Sequence, residues 1–201
     1  KTSSAASDVY KRQVLIYLAA AGIGRIGIVD FGVIEYSNLQ RQIIHTTDSV
    51  GMLKTDSAKR QILKINPSCR VDLFNQKLTN CNALEILKTY DVICDCSDNF
   101  PTRYLINDAC ILLNKPNIYG SIARFEGQAS VFNLRKDSPN YRDLIPTPPP
   151  LELIPSCSEA GVMGILPGII GTIQAAEAIK IITNIGYPLN GRLLTFNALN
   201  M

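Results

Sequence analysis

Apolar residues recur along the chain in two alternating rhythms. The run "VLIYLAAAG", ending at Gly22, has the continuous apolar character and terminal glycine of a helix that stops on a left-handed turn. The next segment, "RIGIVD", has the short β-branched composition of a buried strand. The two patterns then trade places. "GMLKTDSAKRQILKI" predicts an amphipathic helix with Ala58, Ile62 and Ile65 on one face and Lys and Arg on the other. "CRVDLFNQ" predicts a strand, "NALEILKTY" a helix, "DVICDCS" a buried strand, "TRYLINDACILLN" a helix and "PNIYGSI" a strand. Alternation of this kind predicts a parallel, doubly wound α/β sheet. Beyond it, "RFEGQASVFNLR" has the character of an antiparallel strand, "LPGIIGTIQAAEAIKIIT" of a helix and "GRLLTFNAL" of a closing strand. Between them, "DSPNYRDLIPTPPPLELIPSC" holds most of the eleven prolines, the mark of a stiff crossing loop of the kind placed over a site.

Gly22, Gly24 and Gly27 stand in the spacing G-x-G-x-x-G. That spacing cradles a pyrophosphate only when a strand precedes it and a helix follows. Here the order is reversed. Gly22 and Gly24 are therefore read as a helix stop and turn. A strand ending in an acid, as "GIVD" does, is normally the second of its unit, with the first strand and its glycine turn lying upstream. Only "KTSSAASDVYKRQ" stands there, and it has no strand pattern. The expected organisation is a non-native segment over residues 1–13, then one domain over 14–201 lacking its first strand and glycine loop.

Composition narrows the class. With 46% hydrophobic and 18% charged residues over 201 positions, the chain can bury a sizeable core. A net charge of +3 with dispersed basic residues gives neither a nucleic-acid footprint nor a polybasic membrane patch. The apolar stretch over 162–182 carries proline, glycines, Gln, Glu and Lys, which suits a core helix rather than a membrane span. The six cysteines form no C-x-x-C pair and no signal peptide precedes them, so the expected location is the reducing cytoplasm.

In an open parallel sheet, ligands sit beyond the carboxyl ends of the strands. Asp30 ends "IGIVD" and Asp98 follows "VICDCS", so both acids belong at that edge. The first is placed to accept from ribose hydroxyls and the second to hold a magnesium ion between phosphates. Asp98 would equally serve as the N-cap of the following helix. Lys54 falls in the first turn of its helix, where a cation is unfavourable unless an anion is also present. Arg41, in "SNLQRQ", offers a planar fork for phosphate oxygens. Cys157 follows the proline loop as either a nucleophile or an inert thiol. His45, the only histidine, has no evident partner for base catalysis. Cys94 and Cys96 alternate along one strand and are expected to share a core-facing side.

The strings "IVDFGVIEYSNLQRQIIHTTDSVGMLKTDSAKRQILKINP", "DVICDCSDNFPTRYLIND", "GSIARFEGQASVF" and "PSCSEAGVMGILPGIIGTIQAAEAIK" together resemble the MoeB and ThiF adenylyltransferase family, relatives of the ubiquitin-activating enzymes. The resemblance runs in one order from Val14 to the end, and it implies a Rossmann-like fold. It also implies ATP-dependent adenylation of the C-terminal Gly-Gly carboxylate of a ubiquitin-like sulfur carrier, in molybdopterin or thiamine biosynthesis, by a homodimer. By position, Asp30 is similar to the family's ribose-binding acid. Ser37, Asn38 and Arg41 match its ATP-contacting segment, and Lys54 its phosphate lysine. Asp98 with Asn99 matches its magnesium and nucleotide pair. Cys157 is similar to the crossover-loop cysteine that in some members takes the carrier as a thioester or assists sulfur transfer. Three departures stand out. The glycine loop is missing, and Gly32 replaces a second aspartate. Asn140 and Asp143 in "NYRDL" stand where many members have a zinc-binding C-x-x-C, so no structural zinc is expected. The missing loop motivates an alternative, a non-catalytic fragment that keeps the carrier-binding and dimerising surfaces.

Overall fold

The computed structural model describes residues 3–7, 11–149 and 161–200. Their elements are β1 (Ser3–Ser7), α1 (Lys11–Ala20), β2 (Arg25–Val29), α2 (Tyr36–Leu39), α3 (Lys54–Ile65), β3 (Arg70–Phe74), α4 (Ala83–Leu87) and β4 (Val92–Asp95). There follow α5 (Phe100–Leu113), β5 (Asn117–Ala123), β6 (Glu126–Phe132), α6 (Tyr141–Leu144), α7 (Leu166–Thr183) and β7 (Leu194–Asn197). The strands form one sheet in the order β3-β2-β1-β4-β5-β6-β7. The first five run parallel, and β6 and β7 each pair antiparallel with the preceding strand. This is the doubly wound arrangement expected from the alternating patterns, with the antiparallel part at the C-terminal side.

The sheet departs from expectation at its centre. Ser3–Ser7 forms a strand between β2 and β4, although its sequence carries no strand pattern. Without it, the facing edges of β2 and β4 would leave two rows of backbone donors and acceptors unpaired inside the domain, and that demand outweighs weak local propensity. The link to α1, residues 8–10, lies outside the described residues.

Two layers of helices cover the sheet. On one face α1 packs against α3 and α7, enclosing Val14, Leu18, Ile26, Ile28, Ile62, Cys94, Ile118 and Ile170. On the other, α4 and α5 enclose Val29, Ile86, Tyr90, Ile93, Ile106 and Cys110. The division follows the strand period: Ile26 and Ile28 face one layer, Val29 the other. Cys94 and Cys96 both join the first core and are fully buried. Ile65, expected on the apolar face of α3, is 43% exposed, because it is the last residue of the helix and overhangs the core that Ala58 and Ile62 fill.

The helix stop before β2 has the predicted form. Gly22 has φ +83°, its N–H donates to the Ala19 carbonyl, and the Ile23 N–H donates to that of Leu18, the two reversed bonds of a Schellman motif. Gly27 faces the second core, where a Cβ would stand 2.2 Å from Tyr90 Cζ. The glycine spacing thus serves a helix end and a tight strand-to-tyrosine contact. Among the described residues, no helix is long and apolar enough to cross a membrane.

Candidate functional site

The order in which strands are added reverses at β1: β2 and β3 lie on one side of it, β4 and β5 on the other. A crevice opens at such a switch point, beyond the carboxyl ends of the strands. Ser7, the last residue of β1, is in register with Val29 and with Asp95. The chain continuing from β2 delivers Asp30, and the chain continuing from β4 delivers Asp98. Both acids line a single cleft of about 370 Å³, together with Phe31, Gln76, Leu78, Asn99 and Thr102 among others.

Each acid is held locally. Asp30 Oδ1 accepts the Gly32 N–H at 2.9 Å, and the Asp30 N–H donates to the Phe74 carbonyl at 3.2 Å. Asp98 is exposed and Oδ1 accepts from Asn99 Nδ2 at 3.3 Å. The cap of α5 is Asn99, whose Oδ1 accepts the Thr102 N–H at 2.9 Å. The expectation of Asp98 as cap is corrected by one residue, and that shift leaves its carboxylate turned to the cleft.

Lys54 opens α3, as expected, and is tied to the Asp30 segment by backbone. Its N–H donates to the Gly32 carbonyl at 2.9 Å, the Ile34 N–H donates to Met52, and Val33 bridges Leu53 antiparallel. Ser37, Asn38 and Arg41 lie on the next turn and do not line the cleft. Asn38 is buried, and its Oδ1 accepts the Glu35 N–H in a capping box. Ser37 Oγ donates to Glu35 Oε2 at 3.2 Å, and Arg41 Nη1 donates to the Ser37 carbonyl at 3.0 Å. The structure therefore gathers Asp30, Asp98 and Asn99 in one cleft, sets Lys54 against Gly32 two residues beyond Asp30, and leaves Ser37, Asn38 and Arg41 outside the cleft lining. Cys157 lies outside the described residues.

His45 is buried, with Nδ1 2.7 Å from Ser57 Oγ, so it ties its loop to α3. The positions of the family's cysteine pair hold a hydrogen-bonded turn instead. The Asn140 N–H and Nδ2 both donate to Asp143 Oδ2, and Asn140 Oδ1 accepts the Arg142 N–H. These donors and acceptors are spent on one another, and no cluster of three metal-ligating side chains occurs among the described residues. At this turn, Asn140 and Asp143 bonded to one another do not fit a structural zinc.

Sequence reasoning did not single out Phe31, Gln76, Lys77, Leu78, Thr102 or Leu105, which also line the cleft. A signal for three of them existed. Gln76, Lys77 and Leu78 follow β3, so the carboxyl-end rule places them at this edge too.

Comparison with known proteins identifies the family and the fold. A model of the ThiF family matches residues 13–201. The probable adenylyltransferase/sulfurtransferase MoeZ of Mycobacterium tuberculosis is 54% identical over 192 residues, covering 93% of this chain and 48% of that protein. The sulfur carrier protein adenylyltransferase of Thermus thermophilus is 50% identical over 190 residues, covering 92% and 70%. The chain thus spans about half the length of MoeZ and more of the Thermus protein. Among solved structures, E. coli MccB with ATP superposes with a TM-score of 0.86 at 21% identity, over 100% of this chain and 62% of that one, a likeness of fold. By the extent of the family match and the identity to these relatives, the chain belongs to the ThiF family.

Proposed function

We propose that this chain adenylates the C-terminal Gly-Gly carboxylate of a ubiquitin-like sulfur-carrier protein with ATP, in molybdopterin or thiamine sulfur transfer. The observation that carries the reading is the meeting of Asp30 and Asp98 in one cleft, with Lys54 pinned to Gly32 beside it. The names of the Mycobacterium and Thermus relatives support the reaction class. In the reaction a carboxylate oxygen of the carrier attacks the α-phosphorus of ATP, the bond to the pyrophosphate oxygen breaks, and pyrophosphate leaves.

A carboxylate attacking an anionic phosphate is limited by charge repulsion, so neutralisation and alignment supply the catalysis. Asp30 accepts from the ribose hydroxyls. Lys54 and Arg41 neutralise phosphate oxygens, with Ser37, Asn38 and Asn99 as polar contacts to the nucleotide. A lone exposed carboxylate fits magnesium, which takes one or two carboxylates and completes its shell with phosphates and water. Asp98 would hold it, and the ion would neutralise the phosphates. Cys157 serves as the acceptor or sulfur-relay thiol after adenylation. The working assembly is a homodimer in the cytoplasm.

The test is carrier-dependent exchange of labelled pyrophosphate into ATP. Exchange that requires a Gly-Gly-tailed carrier and is lost on removing either glycine is the expected result. Exchange without carrier counts against the reading. Carrier binding with no measurable ATP affinity favours the non-catalytic alternative, and measurable ATP affinity rules it out.

A further inference from the structure

The chain leading to Asp98 runs through a buried polar network. Asp95 is 1% exposed, and its Oδ1 accepts both the N–H and the hydroxyl of Ser97, at 2.9 and 2.7 Å. Gln174 of α7, fully buried, donates through Nε2 to the carbonyls of Asp95 and Ile118 at 2.8 and 3.0 Å. Arg103, on the first turns of α5 and only 6% exposed, donates from Nε and Nη2 to one acceptor, the Ser97 carbonyl, at 3.2 and 3.0 Å. Its Nη1 donates to the Tyr119 hydroxyl at 3.3 Å, which in turn donates to Gln128. Desolvation pulls the Arg103 pKa down, and Tyr119, Asp95 and Tyr141 outweigh it, so the guanidinium stays charged.

A buried guanidinium is a poor device for stability, since apolar residues of similar volume do as well or better. Its geometry serves another purpose. The Ser97 carbonyl and the Asp98 nitrogen share one planar peptide. Clamping that oxygen with two N–H groups fixes the plane from which the Asp98 Cα departs. At that point the chain passes from fully buried Ser97 to exposed Asp98, where no core packing steers the side chain. We infer that Arg103 is a positioning residue for Asp98: by forking the Ser97 carbonyl from inside the domain, it aims the carboxylate into the nucleotide cleft. The inference rests on the proposed role of Asp98 in holding the metal.

The test is a double-mutant cycle. Arg103→Lys keeps the charge and loses the fork, Asp98→Asn removes the carboxylate, and Tyr119→Phe trims the support should Arg103→Lys fold poorly. Two readouts apply: affinity for a non-hydrolysable ATP analogue with and without Mg²⁺, which needs no carrier, and carrier-dependent pyrophosphate exchange. Arg103→Lys is expected to lose most of the Mg²⁺-dependent gain in affinity and on the order of tenfold in exchange kcat, with carrier KM unchanged. Added to Asp98→Asn, it is expected to lose nothing more. Losses that multiply, a changed carrier KM, or a change in thermal stability alone would overturn the inference, as would wild-type affinity indifferent to Mg²⁺. Intact Mg²⁺ coupling without exchange would instead overturn the adenylation reading and leave Arg103 in place.

Discussion

The Lys54 side chain lies across Gly32. A Cβ on residue 32 would stand 3.1 Å from Lys54 Nζ and 3.2 Å from its Cδ and Cε, and the two residues are joined by a 2.9 Å backbone bond. The glycine gives the lysine stem a surface to rest on, so the stem and the charge can be separated by substitution. Lys54→Met keeps the packing and removes the ammonium. Pyrophosphate exchange is expected to fall on the order of a hundredfold while thermal stability stays within about 0.5 kcal/mol of the parent. An equal loss in both assays would make Lys54 a structural residue.

The glycine spacing of 22, 24 and 27 is tested by two alanines. At Gly27 a Cβ meets the buried Tyr90 ring at 2.2 Å, whereas at Gly24 nothing lies within 4 Å. Gly27→Ala is expected to cost about 1–3 kcal/mol by denaturant unfolding, as overpacked cores do, with Gly24→Ala near neutral. Neither change should alter nucleotide affinity in protein that remains folded. A selective loss of affinity in Gly24→Ala would restore the phosphate-binding reading.

Acid sensitivity has an address. Asp72 receives Arg25 Nε and the Tyr90 hydroxyl on one oxygen and Arg70 Nε on the other. Burial raises its pKa, and Arg25, Arg70 and Tyr90 together outweigh burial and leave it below 3.8. Because the folded pKa is depressed, the stabilisation is present above the ordinary carboxylate pKa and is lost as pH falls through the folded value. Unfolding measured below about pH 4 should therefore steepen with acid in the parent and flatten in Asp72→Asn. Tyr90 is displaced upward to about 12, first by burial and then by Asp72. Its stabilising effect holds below the ordinary tyrosine pKa and fades as pH rises toward the folded one. In Asp72→Asn the tyrosine should ionise earlier in an absorbance titration.

The turn at Asn140 and Asp143 is closed by hydrogen bonds among its own side chains and backbone. Asn140→Ala should cost roughly 1 kcal/mol, the usual loss for a helix cap. Zinc chelators should leave the melting temperature of the parent unchanged, and elemental analysis should find no stoichiometric zinc. A chelator-induced drop would show a metal site that these side chains do not explain.

Much of this architecture is legible in the sequence, for reasons specific to each residue. Period-2 and period-3.6 patterns gave the strand and helix alternation, and the carboxyl-end rule then put Asp30 and Asp98 at one edge. Gly22 was legible because a left-handed helix stop has one favoured residue. The strand at Ser3–Ser7 was not, since a run of serine and alanine has no strand pattern and only the vacancy between β2 and β4 recruits it. The choice of Asn99 over Asp98 as cap depends on where the helix begins by a single residue. Arg103 was also illegible: on a helix pattern a lone arginine reads as solvated, and only its approach to Ser97, Tyr119 and Phe100 shows it to be interior.

Gln174 occupies the notch left by Gly120, where a Cβ would fall 2.4 Å from its Cδ. The same amide bridges two adjacent strands. Neither position can drift by itself: a larger residue at 120 evicts the amide, and a shorter one at 174 takes a donor away from two carbonyls. Descendants of this sequence are expected to keep the couple or to exchange both members together, so tolerance at either site should be read from pairs rather than from single-position scans.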